Sequence, residues 1–358
     1  MQERKPGNGK PEVRVVVSDF HLGEGRRNWD GTLNILEDFS ADARFVEFLD
    51  YLNQAYESVE LVLAGNFFEM LRCRMGQDFP DIMYETYALE LVRVQMEGHS
   101  EVMDALKRFL SKDANRLVYL VGEADLGVLW PRVQDELKAR ISKKIEFVGS
   151  KYFKDGIWIE HGDQYESMYN FDWKDPFRLV EDLPILKLPW GAFFFAHFVQ
   201  PLRRIRPQFY RVRPMKAYLT WTFLFETRFL LKIIAQFGRL LWRSFSRKQY
   251  PGSAWWDVMK VFHRSVDSDS LERRAEAILQ DDSVNKVIFG YTHLSNYRQF
   301  RNGKEYFNAG TWTSHLSLEM RHLGNTQKLN FVLIELRDEP RAKLMEWQGK
   351  YEPVADFT

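Results

Sequence analysis

Aspartate and histidine side chains follow the first apolar run of this sequence at a spacing that suits metal binding. Residues 15–17 are three consecutive valines, and Asp19 and His21 come soon after them. In an extended segment, residues two positions apart project to the same side, so both side chains could reach one centre. A carboxylate oxygen and an imidazole nitrogen suit a divalent first-row metal. The alternative is a helix-capping aspartate beside a chance histidine.

Four other apolar runs also end in polar residues of the metal-binding type. The residues that follow them are Gly65-Asn66, Gly122-Glu123, His161-Gly162-Asp163 and Gly290-Tyr291-Thr292-His293. A glycine beside each polar residue lets the backbone turn tightly or approach another group closely. Because α/β folds keep their sites at the carboxyl ends of strands, this repetition indicates one shared site.

Short runs rich in valine, isoleucine and leucine predict the strands that position these residues. The runs cover 13–18, 59–64, 116–121, 157–160 and 285–289, and helical patterns near 41–56 and 81–111 separate the earlier ones. Later segments at 296–301, 305–308, 329–336 and 342–348 have strand patterns, with Asn302-Gly303 as a hairpin signal. This order predicts a mixed α/β fold.

The length and composition set limits on the domain organisation. The chain has 358 residues, 45% of them apolar, which predicts one large domain with an insertion or two domains. Residues 1–12 predict a disordered lead-in without the apolar core of a signal peptide. Cys73 is the single cysteine, so an internal disulfide is excluded and a reducing cytoplasm is favoured.

The predicted insertion, residues 165–275, divides a core made of 13–164 and 276–358 and carries most of the charge asymmetry. The whole chain has 50 basic and 50 acidic residues. Between Pro201 and Lys248, however, twelve basic residues accompany one acidic residue, Glu226. Such an uneven distribution requires an explanation in terms of a partner or a packing role.

The motifs that follow the strands resemble those of the calcineurin-like metallophosphoesterases. That family has D-x-H, G-D-x-x-D/E, G-N-H-D/E, H and G-H-x-H in this order, and the resemblance covers roughly residues 13–165 and 280–350. Within the superfamily, SDFHLG, the Phe-Glu after the second motif, HGD and the helical insertion are most similar to the UDP-2,3-diacylglucosamine hydrolases. The resemblance implies a four-layer αββα sandwich of two mixed sheets with a helical insertion.

The resemblance also implies metal ligands. In the family two ions, often manganese, bind the phosphate and activate a water. Asp19, His21 and His293 match three ligands of the first ion, and His161 matches a ligand of the second.

Four positions depart from the family pattern. Asn66 replaces the aspartate that bridges both ions, and a neutral amide cannot offset the repulsion between two cations. Glu123 replaces an asparagine and brings a charge that could compensate in part. Ala124 lacks the hydrogen-bonding side chain found there in the family, and Tyr291 is a poor ligand because phenols titrate near 10.

These departures predict one divalent ion rather than two, manganese or alternatively zinc or iron, with an ion-free remnant as the other interpretation. Asp125 and Asp163 are expected to cap or orient their neighbours. His99 follows no ligand spacing and is expected to be a surface or core residue.

The basic aromatic segment predicts contact with an anionic membrane surface, because amphipathic helices rich in arginine and phenylalanine bind such surfaces. The residues assigned to this contact are Arg203, Arg204, Arg206, Arg211, Arg213, Lys216, Trp221, Phe225, Arg228, Phe229 and Lys232. A packed helical cap with solvated arginines is the alternative. Nucleic-acid binding is disfavoured, since aliphatic residues and phenylalanines suit lipid better than bases.

Together these patterns predict a cytoplasmic protein peripheral to the inner face of a membrane. Its partner would be an anionic lipid surface or a lipid-linked phosphate substrate, with a protein partner as a further option. The expected activity is weak, altered or absent hydrolysis of a phosphodiester or pyrophosphate in a lipid or nucleotide. The alternative is an inactive homologue that works as a lipid- or protein-binding scaffold or regulator.

Overall fold

The computed structural model describes residues 11–28, 30–71, 82–213, 215–246, 268–317, 324–349 and 354–356. The strands are β1 Val13–Val17, β2 Val59–Ala64, β3 Met83–Tyr84, β4 Arg116–Leu120, β5 Ile145–Val148, β6 Lys151–Lys154, β7 Ile157–Glu160, β8 Phe177–Val180, β9 Leu183–Leu186, β10 Val212–Arg213, β11 Lys286–Phe289, β12 Asn296–Gln299, β13 Glu305–Asn308, β14 His315–Ser317, β15 Gly324–Thr326, β16 Asn330–Glu335, β17 Arg341–Trp347 and β18 Val354–Asp356. The α-helices are α1 Asp42–Ala55, α2 Glu85–Gly98, α3 Ser100–Ser111, α4 Pro131–Arg140, α5 Trp190–Phe194, α6 Gln200–Ile205, α7 Met215–Phe225, α8 Thr227–Ser246 and α9 Ser268–Ile278. Of the predicted lead-in 1–12, residues 1–10 lie outside the described residues.

Two mixed sheets form the centre of the molecule. The first has the strand order β18-β17-β16-β1-β2-β4-β5, and β1, β2, β4 and β5 run parallel within it. The second has the order β12-β13-β11-β7-β6, with β7, β11 and β13 parallel. Antiparallel strands complete both sheets, β16 beside β1 and β12 beside β13.

The sheets pack face to face, and helices cover their outer faces. One apolar cluster fills the space between the sheets, with Val16 and Val62 from the first and Ile159 and Phe307 from the second. The alternate residues of the first sheet, such as Val15, belong to a larger cluster that they share with α1, α2 and α3. Helix α9 covers the second sheet. Burial on both faces explains the unbroken valine run, and the predicted αββα sandwich is confirmed.

The parallel strands of both sheets deliver their following residues to one edge. Asp19, Asn66 and Glu123 follow β1, β2 and β4 of the first sheet, while His161 and His293 follow β7 and β11 of the second. The candidate site therefore lies across both sheets, as the strand-end pattern predicted.

Two local features differ from the sequence prediction. The helical pattern at 81–111 forms two helices that meet at His99, whose φ of −125° and ψ of 42° are not helical. The region 165–275, expected to be mostly helical, also contains the β8–β9 hairpin, which pairs with β3. Its two turn residues, Glu181 and Asp182, have φ of 50° and 62°. Such turns usually carry asparagine or glycine, so the sequence gives little sign of this one.

The helical part of the region between β7 and β11 has an apolar core of its own. Aromatic residues of the 190–199 segment, including Phe193 and Phe198, pack there with Phe229 and Leu240 of α8. Arg203 fixes this part to the rest of the chain, because its Nη2 donates to Asp38 Oδ1 at 2.8 Å and to Leu36 O at 3.1 Å.

Candidate metal centre

Asp19, His21 and His293 bring a carboxylate and two imidazoles together at the shared edge of the sheets. Oδ1 of Asp19 lies 3.2 Å from Nε2 of His293 and 3.4 Å from Nε2 of His21. The two Nε2 atoms are 3.2 Å apart. The ligand-type atoms of all three side chains lie within 4.8 Å of one another, so they could share one ion. These are the three residues predicted to hold the first ion.

Neighbouring groups fix the orientation of this first group. Nδ1 of His21 lies 2.6 Å from Oε2 of Glu69, which leaves Nε2 directed at Asp19 and His293. Oδ2 of Asp19 accepts hydrogen bonds from Ser18 Oγ and from the Tyr291 backbone N–H, both at 2.8 Å, so Oδ1 remains on the side of the histidines. A carboxylate behind a ligating histidine fixes its tautomer and raises its basicity. Glu69 stands at the last position of the G-D-x-x-D/E motif, so the sequence does carry a signal for this residue although its contact with His21 is visible only in the fold.

Glu123, His161 and Asp163 form a second, buried group, and their ligand-type atoms also lie within 4.8 Å of one another. Oε2 of Glu123 lies 2.9 Å from Nε2 of His161. Nδ1 of His161 lies 2.7 Å from the Ala64 carbonyl oxygen, so Nδ1 carries a proton and Nε2 faces the carboxylates. Glu123 Oε2 and His161 Nε2 are thus each other's partners, whereas Asp163 Oδ1 is a buried atom without a hydrogen-bond partner among the described residues. Asp163, expected only to orient neighbours, thus offers the third ligand-type atom of this group, a carboxylate oxygen.

The side-chain amide of Asn66 lies between the two groups. Its Nδ2 donates to Oδ1 of Asp19 at 3.1 Å and to Oε1 of Glu123 at 3.0 Å. Its Oδ1 accepts from the backbone N–H of Ala124 at 2.9 Å, which fixes the orientation of the amide because only an oxygen can accept there. Asn66 therefore presents donors to the carboxylates and not an oxygen ligand.

The other two departures from the family pattern occupy the rim of the centre. Ala124 is buried and places only a methyl group there. Tyr291 stands edge-on to His161, with ring centroids 5.7 Å apart. Burial, with the charges of Tyr169 and Glu123, raises the pKa of the Tyr291 phenol well above its ordinary value. The phenol therefore stays neutral, as expected for a poor ligand.

Asp125 has the orienting role that the sequence predicted. Its carboxylate accepts hydrogen bonds from the backbone N–H groups of Gly122 and Phe67, at 2.7 and 3.0 Å, and from the Tyr119 hydroxyl at 2.6 Å. These bonds tie the loop after β4 to the loop after β2. The positions of Glu123 and Asn66 therefore depend on this one buried carboxylate.

The charges of the centre are strongly coupled. Burial opposes ionisation of Asp19, but the charges of His161 and His293 and hydrogen bonds from both His21 and His293 hold the pKa of Asp19 well below its usual value. Burial lowers the pKa of His161, and the charges of Asp19 and Glu123 outweigh this and raise it well above the usual value. Without a cation, the carboxylates thus retain a proton on His161.

Backbone strain is concentrated at the same place. Of eight non-glycine residues with positive φ in the described chain, five are Asp19, His21, Asn66, Tyr291 and His293. Each such conformation is unfavourable for a residue with a Cβ and persists only where the surroundings enforce it. Gly65, with φ of 90°, allows the approach of His161, because a Cβ there would lie 2.4 Å from the imidazole. The strand ends are therefore shaped to direct these side chains at one point.

Each group offers donors that suit a divalent ion, but the two groups do not fit a bridged pair, so we expect them to hold one ion rather than two. One oxygen and two nitrogens in the first group, and two oxygens and one nitrogen in the second, suit manganese, zinc or iron. A bridged pair needs an anionic oxygen between the ions, and the Asn66 amide donates protons at that place.

The structure corrects the predicted lipid-contact surface at three residues. Arg203 and Phe229 are buried, and Arg211 is mostly buried with its Nε on Asp38. Hydropathy patterns treat arginine as exposed, whereas here two guanidinium groups share one buried carboxylate. The remaining described residues of that set are exposed, namely Arg204, Arg206, Trp221, Phe225, Arg228 and Lys232, while the side chains of Arg213 and Lys216 lie outside the described part. Across the described helices, none has the length and apolar character needed to cross a bilayer.

No protein-family model matches the chain, and no curated protein is detectably similar to it in sequence. Solved structures that resemble it include a dimetal phosphatase from Danio rerio, with 9% identity, a TM-score of 0.39 and coverage of 98% of this chain and 99% of the other. A zinc complex of Vps29 from Entamoeba histolytica has 12% identity, a TM-score of 0.33 and coverage of 97% and 99%. The calcineurin-like phosphoesterase YfkN from Bacillus subtilis has 8% identity, a TM-score of 0.34 and coverage of 96% and 87%. Similarities this distant do not by themselves establish a function.

Proposed function

We propose that this protein is a calcineurin-like metallophosphoesterase homologue that binds a divalent ion through Asp19, His21 and His293. The observation that carries the proposal is the convergence of these three side chains within 4.8 Å, from strand ends of two different sheets. A bound ion would supply positive charge that polarises a phosphoryl oxygen and activates a water. The family motifs and their order in the sequence support this assignment.

The protein's own residues would position the phosphate and handle protons. Glu69 holds His21 in place through Nδ1, and Ser18 with the Tyr291 N–H holds Asp19. When the second group holds no ion, protonated His161, with Nε2 3.7 Å from Oδ1 of Asp19, would add positive charge beside a phosphate bound at the first group. Glu123, 2.9 Å from that nitrogen, keeps the proton there.

The finer proposal concerns the substrate and its location. The motif sequences are most similar to UDP-2,3-diacylglucosamine hydrolases, so we infer a phosphodiester or pyrophosphate in a lipid or nucleotide. Hydrolysis would be weak or altered in comparison with a two-ion enzyme, because the neutral Asn66 replaces the bridging carboxylate. The protein would act in the cytoplasm, peripheral to the inner face of a membrane.

The experiment is an assay of the purified protein on bis-p-nitrophenyl phosphate and on a UDP-linked diacylated glucosamine, with manganese, zinc or iron added. We expect metal-dependent hydrolysis that disappears in His21→Ala and persists in His197→Ala, which changes a histidine of the insertion. If wild-type protein binds metal but hydrolyses neither substrate with any ion, the hydrolase proposal is wrong.

Metal binding without hydrolysis would favour a non-catalytic scaffold or regulator. The hydrogen bonds of Asn66 support this candidate, because they tie Asp19 and Glu123 together without any ion. The methyl group of Ala124, where the family has a hydrogen-bonding side chain, points the same way. A scaffold would keep its lipid or protein contacts in His21→Ala.

A further inference from the structure

Helix α8 has two apolar sides, and one of them packs inside the protein. Phe229, Ile233 and Leu240 are 4%, 6% and 0% exposed, and their spacing of four and seven residues places them on one helix face. This face joins the apolar core that includes Phe198. One apolar face is enough for an amphipathic helix to pack against a core, so apolar residues elsewhere on α8 need another explanation.

The opposite side of α8 is apolar as well. Leu231 and Ile234 lie on it and are 60% and 57% exposed. Beside them runs a stripe of four exposed basic residues at spacings of four, seven and four, which are Arg228, Lys232, Arg239 and Arg243. The helix sequence contains no aspartate or glutamate.

Three more exposed apolar residues lie at the end of α7, the helix that contacts α8. Phe223, Leu224 and Phe225 are 65%, 61% and 71% exposed and come directly before the turn into α8. Three consecutive large apolar side chains in water are unfavourable, and an exposed apolar patch with a polar border marks an interaction site. We call Phe223–Phe225, Leu231, Ile234 and the four basic residues of α8 the outer face.

We propose that the outer face docks on the surface of a bilayer that contains anionic lipids. The basic stripe would contact the headgroups while the leucine, isoleucine and phenylalanine side chains enter the acyl boundary. The charge pattern favours lipid over a protein partner, because the positive residues form one border along a helix with no acidic residue. The outer face would lie in the surface of the bilayer. Among the described helices, none is long and apolar enough to cross it.

Docking would hold the protein, and with it the metal centre, at the membrane. The region that carries the outer face lies in the chain between His161 and His293 and is fixed to Asp38 by Arg203. The inference rests on the proposed function, because docking would give the metal centre access to a lipid-linked phosphate. Its test needs no hydrolysis, so the two proposals fail separately.

The test is co-sedimentation of the full chain with phosphatidylcholine vesicles, with and without phosphatidylglycerol. We expect wild-type protein to bind the anionic vesicles and to dissociate as salt is raised. Leu231→Ser with Ile234→Ser should weaken binding by at least roughly tenfold. Each of Lys232→Gln and Arg239→Gln should weaken it by roughly fivefold and reduce the salt dependence.

The control is Leu179→Ser with Leu183→Ser on the β8–β9 hairpin, where the leucines are 71% and 56% exposed but lie outside the outer face. This control should bind like wild type, and thermal unfolding of all variants checks that they fold. Absence of wild-type binding to anionic vesicles overturns the proposal, as does equal binding by the Leu231 and Ile234 variant. A dimer that this variant abolishes would assign the outer face to a second copy of the chain and would also overturn it.

Discussion

Nδ2 of Asn66 donates a hydrogen bond to Oδ1 of Asp19 over 3.1 Å, and this contact occupies the side of Asp19 that faces the second group. The same nitrogen donates to Glu123 at 3.0 Å. A neutral amide with two N–H groups therefore stands where two carboxylates would otherwise repel each other. This geometry explains how the acidic groups coexist in a buried centre without a bridging cation.

Replacement of Asn66 by aspartate should increase the number of bound ions. The new carboxylate cannot donate hydrogen bonds to Asp19 and Glu123, and its added charge would favour a cation between the groups. We expect about one equivalent of manganese or zinc in wild-type protein and more than one in Asn66→Asp, by elemental mass spectrometry. Asn66→Ala is the control without added charge, and an equal stoichiometry in all three proteins contradicts the prediction.

Glu69→Gln should weaken metal binding without removing a ligand. The amide cannot hold the Nδ1 proton of His21 as a carboxylate does, so we expect a loss of roughly 10- to 100-fold in affinity. Competition with a fluorescent chelator measures the change. Glu97→Gln, on the exposed side of α2, is the matched control. An unchanged affinity in Glu69→Gln would show that the contact with His21 does not matter for binding.

His99 should make stability depend on pH on the alkaline side. Burial lowers its pKa, but hydrogen bonds to Asp42 and Glu37 outweigh this and raise the pKa from 6.5 to about 9. Because the folded pKa is the higher one, the stabilisation is complete below pH 6.5 and is lost as the pH rises to about 9. It amounts to no more than about 3 kcal/mol.

Urea unfolding on both sides of this window tests the effect of His99. Wild-type protein should lose stability between the two conditions, and His99→Gln should lose much less of it. Asp42, whose Oδ1 lies 2.6 Å from Nδ1 of His99, provides a second variant in Asp42→Asn, which should shift the loss to lower pH. Equal pH dependence in wild type and His99→Gln would assign the effect to another group.

Arg203→Met should destabilise the protein although it adds no polar group. The substitution removes hydrogen bonds to Leu36 and Asp38, but Arg211 still pairs with Asp38, so we expect a loss of roughly 1–3 kcal/mol in the free energy of unfolding. Arg204→Met, at the exposed neighbouring position, is the control and should change stability by less than about 0.5 kcal/mol. Equal losses in both variants would contradict the role of Arg203 as an anchor.

Periodic apolar signals predicted the mixed α/β fold and the position of the site at the strand ends, whereas the expectation of an αββα sandwich came from the family resemblance of the motifs. The valine run before Asp19 and the glycine beside Asn66 mark a buried strand and a tight turn, whatever the rest of the chain does. The burial of Arg203 depends on where Asp38 lies in three dimensions, and no pattern within the insertion encodes that. The contact of Glu69 with His21 also depends on the fold, because the G-D-x-x-D/E motif marks a carboxylate after β2 but does not show which group that carboxylate faces.

The separation of the ligands in the chain has a consequence for folding. Asp19 belongs to the first sheet and His293 to the second, and only 3.2 Å separates their facing atoms in the folded protein. An ion bound to both would cross-link the two sheets and stabilise the native state by mass action, because the unfolded chain holds these residues far apart. The metal centre would then stabilise the packing of the two sheets in addition to any role in hydrolysis. Removal of such an ion should therefore lower the free energy of unfolding.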